Sequence, residues 1–205
     1  MGGEKRRKPV IGLAGGIGAG KSEAARILAD LGAGVIDSDA LAREELNAPD
    51  VIKAIRDAWG DGVLTPDGKV DRARLRRIFA HPVERQRLES LIHPRVARRR
   101  KELQASFEAD PSIRAVVLDS PLLFEAGLAP TCDVVLFIEA DRATRQRRVE
   151  QTRSWSDAEL EQREKLQKAL DIKKRSADHI VENNSTVEKL SRQLTDFFSQ
   201  LITDH

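Results

Sequence analysis

The chain has 205 residues, 40% hydrophobic and 33% charged, long enough for one domain with a sizeable core and room for an inserted subdomain. Its net charge of +2 gives no global nucleic-acid footprint, and no apolar run approaches the roughly 20 residues of a membrane-spanning helix. Cys132 is the single cysteine, so an intrachain disulfide is excluded; with no secretory-type apolar stretch near the start, the expected setting is reducing and cytoplasmic.

Lys5-Arg6-Arg7-Lys8 opens the chain as a basic tail, 1–8, expected to be solvated. An apolar strand is expected over 10–14. It runs into Gly15-Gly16-Ile17-Gly18-Ala19-Gly20-Lys21-Ser22, which matches G-x-x-x-x-G-K-[ST]. Ala24, Ile27, Leu28 and Leu31 then recur at helical spacing, and Gly32 is placed to end that helix. Strand, glycine loop and helix form the arrangement in which backbone amides and a helix N-terminus cradle a polyphosphate. Gly16 to Gly20 would supply the amides, Lys21 would reach the β/γ-phosphates, and the Ser22 hydroxyl would ligate Mg²⁺. The chain is therefore expected to bind a nucleoside triphosphate.

A second strand over 34–36 ends in Asp37-Ser38-Asp39, where a carboxylate can take a proton from an acceptor hydroxyl or hold a metal-bound water. Ser38 or Asp39 can equally cap the helix carrying Leu41, Ala42 and Leu46. From about 40 to 110 the strand–helix alternation stops. Asp50 is expected to cap a helix with Val51, Ile52, Ile55 and Trp59 on one face, ended by Gly60. Asp61-Gly62 and Pro66-Asp67-Gly68 are turn sequences, and Asp71 caps a helix carrying Leu75, Ile78 and Phe79. Leu88, Leu91, Ile92 and Val96 continue toward Leu103 and Phe107 past His93-Pro94, a kink signal. Arg98-Arg99-Arg100-Lys101 reads as a solvated helix face or as contacts for an anionic acceptor. An insert of this size suits an acceptor-binding subdomain.

A third strand over 115–118 leads into Asp119, the apolar-run-then-acid form of a metal-side Walker B strand. Leu122, Leu123 and Phe124 follow as core or ligand contacts. The fourth and fifth strands are expected over 134–138 and 179–181, with Cys132 a packing residue beside the fourth. Between them, about 141–176, lies an arginine-rich helical segment interspersed with Glu150, Glu159, Glu161 and Glu164. At most two or three arginines of 142–163, one or more of Arg148, Arg153 and Arg163 among them, could neutralise a transferring phosphoryl group as a mobile lid. The fold class is α/β: a parallel five-stranded sheet flanked by helices, with a helical insert and a helical lid in a domain of 9–205.

Taken together these segments resemble the dephospho-coenzyme A kinase family over about residues 9 to 190. The loop Gly15 to Ser22 is similar to that family's TGGIGSGKS, and Val35-Ile36-Asp37-Ser38-Asp39 with Ala42-Arg43 to its VIDAD…AR segment. Leu91-Ile92-His93-Pro94 is similar to LxHP, and Leu118-Asp119-Ser120-Pro121-Leu122-Leu123-Phe124-Glu125 to D-x-P-L-L-F-E, two elements much more specific than the phosphate loop. Arg153-Ser154-Trp155-Ser156 resembles an R-G-W-S lid segment, and Gln167, Ala177-Asp178 and Asn183 the Q…AD…N tail. Ala14, Ser38 and Ser154 stand where Thr, Ala and Gly are usual. The resemblance implies transfer of the ATP γ-phosphoryl group, with Mg²⁺, to the ribose 3′-hydroxyl of dephospho-coenzyme A. It implies Asp39 as general base, with Arg43, His93 and Leu123 toward the acceptor, Asn183 on the ATP side, Ser22 and Asp119 at the metal, and Arg148 and Arg153 with Lys21 at the phosphates. Another small-molecule P-loop kinase would share Lys21 and Ser22 but not His93-Pro94 or the D-x-P-L-L-F-E element. A GTPase would need an N-K-x-D-type motif, which the sequence lacks, and a nucleic-acid motor would be larger.

Overall fold

The computed structural model describes residues 7–78, 81–165 and 167–205. Strands β1 (Val10–Gly15), β2 (Ala33–Asp37), β3 (Ala115–Asp119), β4 (Val134–Glu139) and β5 (His179–Glu182) form one sheet in the order β2-β3-β1-β4-β5. Every neighbouring pair is parallel. Each strand runs at least one residue past its expected end, and the added residue is Gly15, Asp37, Asp119, Glu139 or Glu182. Hydropathy stops at the last apolar residue, whereas the ladder continues to the polar edge. The helices are α1 (Lys21–Asp30), α2 (Ser38–Glu45), α3 (Pro49–Trp59), α4 (Arg72–Ile78), α5 (Pro82–Ala109), α6 (Arg142–Arg153), α7 (Asp157–Glu164), α8 (Leu170–Arg175) and α9 (Val187–Asp204).

The chain divides into two compact units, one of residues up to Asp37 with Gln104–His205, the other Ser38–Leu103. In the first, alternate residues of the strands face α1 and α9: Ile11 and Leu13, Val117, Leu136 and Ile138 pack with Leu28, Leu190, Leu194 and Phe198. Gly12 turns to the opposite face, where an added Cβ would lie 2.7 Å from Cys132 Sγ and 2.9 Å from a Leu123 methyl. Cys132 is thus a packing residue, as expected. Of the tail's described residues, Arg7 is exposed and Lys8 half-buried. Arg7 pairs with Asp133, and the Lys8 ammonium donates to the carbonyls of Phe107 (2.6 Å) and Asp110. The rest of the tail, including Lys5 and Arg6, lies outside the described residues.

The second unit is helical and buries Leu41, Val51, Ile55, Leu75, Leu88, Ile92 and Val96. The compact unit spans Ser38–Leu103, and α5 runs unbroken through Pro94 to Ala109. Asp50 is not the cap of α3: Ala48 holds that position, Pro49 starts the helix, and Asp50 pairs with Arg95. Asp71 does cap α4, accepting from the amides of Ala73 (2.9 Å) and Arg74 (3.1 Å); Phe79, expected on that helix, lies outside the described residues.

Among the described residues, Ser154 is the one non-glycine with positive φ, 55°, and it ends α6 in the left-handed conformation. Its amide donates to Glu150 O at 3.0 Å. A Cβ in this region is unfavourable by about 1–2 kcal/mol, which glycine avoids at some cost in unfolded-state entropy. Ser154→Gly is therefore expected to stabilise the protein by about 0.5–1 kcal/mol and to raise the melting temperature by roughly 1–4 °C. A lower melting temperature in a calorimetric scan would show that the serine side chain contributes more than the strain removes.

Candidate phosphoryl-transfer site

The order of strands reverses at β1, whose neighbours β3 and β4 lead to opposite edges of the sheet. In an open parallel sheet this switch point, at the carboxyl ends of the strands, is where a ligand crevice forms. Gly16 to Gly20 leave β1 there and lead directly into α1. Two glycines are required by geometry. Gly18 has φ 79°, and an added Cβ would sit 2.8 Å from Arg145 O; Gly20 has φ 95°, with Asn183 Nδ2 only 2.2 Å from the same position. The loop is gripped from outside at its carbonyls. Lys21 Nζ donates to Gly15 O (3.0 Å) and Gly16 O (3.2 Å). Asn183 Nδ2 donates to Ala19 O at 2.8 Å, as Arg148 does at 3.3 Å, and Arg148 also donates to Asn183 Oδ1 at 3.2 Å. Burial, with Arg147 close by, pushes the Arg148 guanidinium down from its usual range, and Asp141 partly offsets this.

Arg145 was not singled out in the sequence and is the most enclosed arginine at the loop, 5% exposed. It donates to Ala140 O (3.2 Å) and Ile17 O (3.4 Å) and pairs with Glu164, which also binds Arg142 at 3.0 Å. One signal was present: Arg145 and Arg148 are three apart on α6 and so share a face. In a run this rich in arginine, that spacing does not separate them from Arg142 or Arg147. Arg153 and Arg163 are placed elsewhere, against the Trp155 ring, with guanidinium carbons 4.8 and 3.9 Å from its centroid.

Asp37 and Asp119 are register partners at the ends of β2 and β3, so their side chains leave the same face of the sheet. With the hydroxyl of Ser22 in the first turn of α1, this edge offers only oxygen donors. That suits Mg²⁺, which binds through one or two carboxylates together with substrate phosphates. Among the described residues no group of three or more His, Cys, Asp or Glu is placed to hold a metal by itself. Leu123 is 2% exposed and packs toward Gly12, so its side chain belongs to the core, whereas Leu122 is 46% exposed.

In the second unit α2 begins at Ser38, which puts the cap position on Asp37 and Asp39 in the first turn. Capping by Ser38 is thereby excluded, and its hydroxyl is buried without a hydrogen-bond partner. Asp39 and Arg43, one turn apart, lie on one face of α2, and both are exposed. Glu45, 8% exposed, ties α2 to α5 through Arg95 (3.4 Å) and Arg99 (3.9 Å). Two of the basic residues on this helix are therefore engaged within the unit itself. His93 is exposed on α5.

Residues 9–189 match a family model described as dephospho-CoA kinase. The chain is 39% identical over 194 residues to a dephospho-CoA kinase of Thermobifida fusca, covering 93% of this chain and 95% of the relative. A crystal structure from Thermus thermophilus superposes with a TM-score of 0.80 at 30% identity, over 96% of this chain and 99% of the other. A dephospho-CoA kinase from Campylobacter jejuni superposes with a TM-score of 0.63 at 20% identity, over 95% and 97% of the two chains, a likeness of fold.

On the first unit, Glu125 accepts from Lys168 N (2.7 Å) and pairs with the buried Lys173 (2.9 Å). Burial pushes its carboxyl up, but these two donors outweigh it and hold the group below the usual range. A carboxylate depressed in the folded state adds stability that is present above its unfolded pKa of about 4.3 and is lost as pH falls through the folded value. The melting-temperature gap between wild type and Glu125→Gln should accordingly be wide at neutral pH and close below about pH 4. A gap that stays constant down to pH 3 would mean that Glu125 is not held as a carboxylate.

Proposed function

The chain belongs to the dephospho-CoA kinase family, and on that premise we propose that it transfers the γ-phosphoryl group of ATP to the ribose 3′-hydroxyl of dephospho-CoA, giving CoA and ADP. The observation that carries this is a complete phosphate-binding loop at the switch point of a parallel sheet, in a chain matched by the family model over 9–189. Transfer of this kind needs positioning and charge neutralisation more than covalent catalysis. Amides of Gly16, Ile17, Gly18, Ala19 and Gly20 cradle the β- and γ-phosphates, with the Ser22 amide at the start of α1. Lys21, whose ammonium rests on Gly15 O and Gly16 O, exchanges those carbonyls for phosphate oxygens. Asn183 acts on the ATP side by fixing Ala19.

Ser22 and Asp119 would hold Mg²⁺, with Asp37 beside Asp119 in the ladder. When bound, the ion neutralises charge on the β- and γ-phosphate oxygens. Arg148, already against the loop, adds positive charge where negative charge develops in the transition state. Arg153 would first have to leave Trp155. Asp39 accepts the proton of the attacking hydroxyl, and Arg43 and His93 contact the acceptor. Leu123 supports the loop that follows Asp119 from within the core. No helix among the described residues is long and apolar enough to cross a membrane, and a cytoplasmic setting belongs to the same proposal.

The test is ADP release across an acceptor panel of dephospho-CoA, nucleoside monophosphates and phosphopantetheine, with a no-acceptor control. Dephospho-CoA alone should stimulate release. Stimulation by a nucleoside monophosphate instead would overturn the assignment.

Two substitutions test the roles. Lys21→Ala should fold normally and lose on the order of 10²–10³ in turnover, as groups that neutralise transition-state charge do. Asp39→Asn keeps the shape of the first turn of α2 and removes the carboxylate. Turnover should fall by roughly 10²–10⁴, with melting temperature and ATP affinity near wild type. Lost Mg²⁺–ATP affinity would move Asp39 to the metal, and unaltered turnover would remove it from the mechanism.

A further inference from the structure

Lys173 is 2% exposed, one of the largest fully buried side chains of the described residues, and no step above uses it. Its ammonium lies 2.9 Å from Glu125 Oε1 and donates to Gln167 Oε1 at 3.3 Å. Glu125 is six residues beyond Asp119, on the loop that leaves the phosphate edge of the sheet, and its carboxylate also accepts from Lys168 N at 2.7 Å. Its other oxygen is buried without a hydrogen-bond partner. A buried ion pair with an unsatisfied oxygen is a poor source of stability, because desolvation offsets most of the Coulomb attraction and apolar packing would do as well. What such a pair supplies is fixed geometry.

The geometry it fixes is specific. Gln167 and Lys168 lie in the connection between α7 and α8, and Lys173 lies on α8. The neighbouring Lys174 pairs with Glu139, the last residue of β4, at 2.6 Å. Adjacent residues of α8 are thus tied to the carboxyl-end side of two strands. We propose that Glu125, Lys173 and Gln167 are positioning residues: they form a fixed joint that holds the returning end of the 141–176 segment to the loop following Asp119, so that arginines of α6 and α7 meet the phosphates in register with the metal-side carboxylate. The proposal rests on the kinase function above.

Two measurements test it. The first uses Glu125→Gln, Lys173→Met and the double variant, with melting temperature and separate titrations of ATP and dephospho-CoA. Each single change strands a buried partner and should lower stability. The double change removes both charges and should recover most of it. The joint nevertheless stays broken, so kcat/KM for ATP should remain on the order of 10- to 100-fold down in the double variant. KM for dephospho-CoA should stay within about twofold of wild type, because positioning on the ATP side is what is lost. Full recovery of kcat/KM with stability would reduce the pair to packing and overturn the proposal, as would an equal rise in KM for both substrates.

The second measurement uses the wild-type protein and does not depend on any variant folding. Amide exchange with and without a non-hydrolysable ATP analogue should change over 149–165 and stay constant over 120–127 and 167–175. Equal changes in all three segments would show that the joint is not fixed. Turnover of dephospho-CoA by the wild type, measured first, separates failure of the kinase assignment from failure of the joint.

Discussion

A loop that turns its amides toward an anion satisfies few of its own carbonyls; here one internal bond, Ala19 N to Gly16 O at 3.1 Å, closes it. Amides aimed inward leave carbonyls aimed outward, and buried carbonyls need donors. Much of this structure around β1 answers that requirement. Lys21 takes two carbonyls, Arg145 a third, and Asn183 with Arg148 a fourth. These donors come from α1, α6 and the residue after β5. The loop therefore ties the fourth and fifth strands and the arginine-rich helices to the first strand. The close approach of Asn183 to Gly20 and of Arg145 to Gly18 leaves no space for a side chain at either position. The glycines thus serve the protein side of the loop as much as the ligand side.

The same constraint separates what could be read in the sequence from what could not. Five strands were legible because a parallel sheet covered on both faces is written as short apolar runs. The phosphate loop was legible because its glycines are required by backbone geometry and its Lys-Ser by chemistry. Asp119 was legible as an acid ending an apolar strand, and its pairing with Asp37 follows once β2 and β3 are neighbours. Strand order was not legible, since no residue of β3 records that it lies between β2 and β1.

Charge was the harder text. In α6, Arg142, Arg145, Arg147 and Arg148 are alike in sequence, yet one is buried against the loop, one half-buried on it and two exposed. What distinguishes them is the partner each meets, and partners such as Glu164 and Asn183 are 19 and 35 residues away. Asp50 and Ser38 were misread for a related reason. Both are good capping residues by type, but Pro49 already starts α3 and the ladder of β2 runs straight into α2. Local preference gave way to how the neighbouring element ended.

The helices from α6 to α8 show how such a charge-rich region can be both anchored and compliant. Their buried apolar side chains are few, chiefly Val149 and Leu160. Arg142 with Asp157, Arg175 with Asp171 and Lys165 with Glu161 are exposed pairs, of a kind that contributes little and weakens with salt. Arg153 and Arg163 lie against Trp155 by cation–π contact, also modest at a partly exposed site. A polyanion competes well for guanidiniums held this loosely. Arg145 with Glu164 and Lys173 with Glu125 are different, because separating either pair would leave a charge in a largely desolvated place. Between those two ties Arg153 and Arg163 can change partners at little cost, while Arg145 and Lys173 hold their places relative to the phosphate loop.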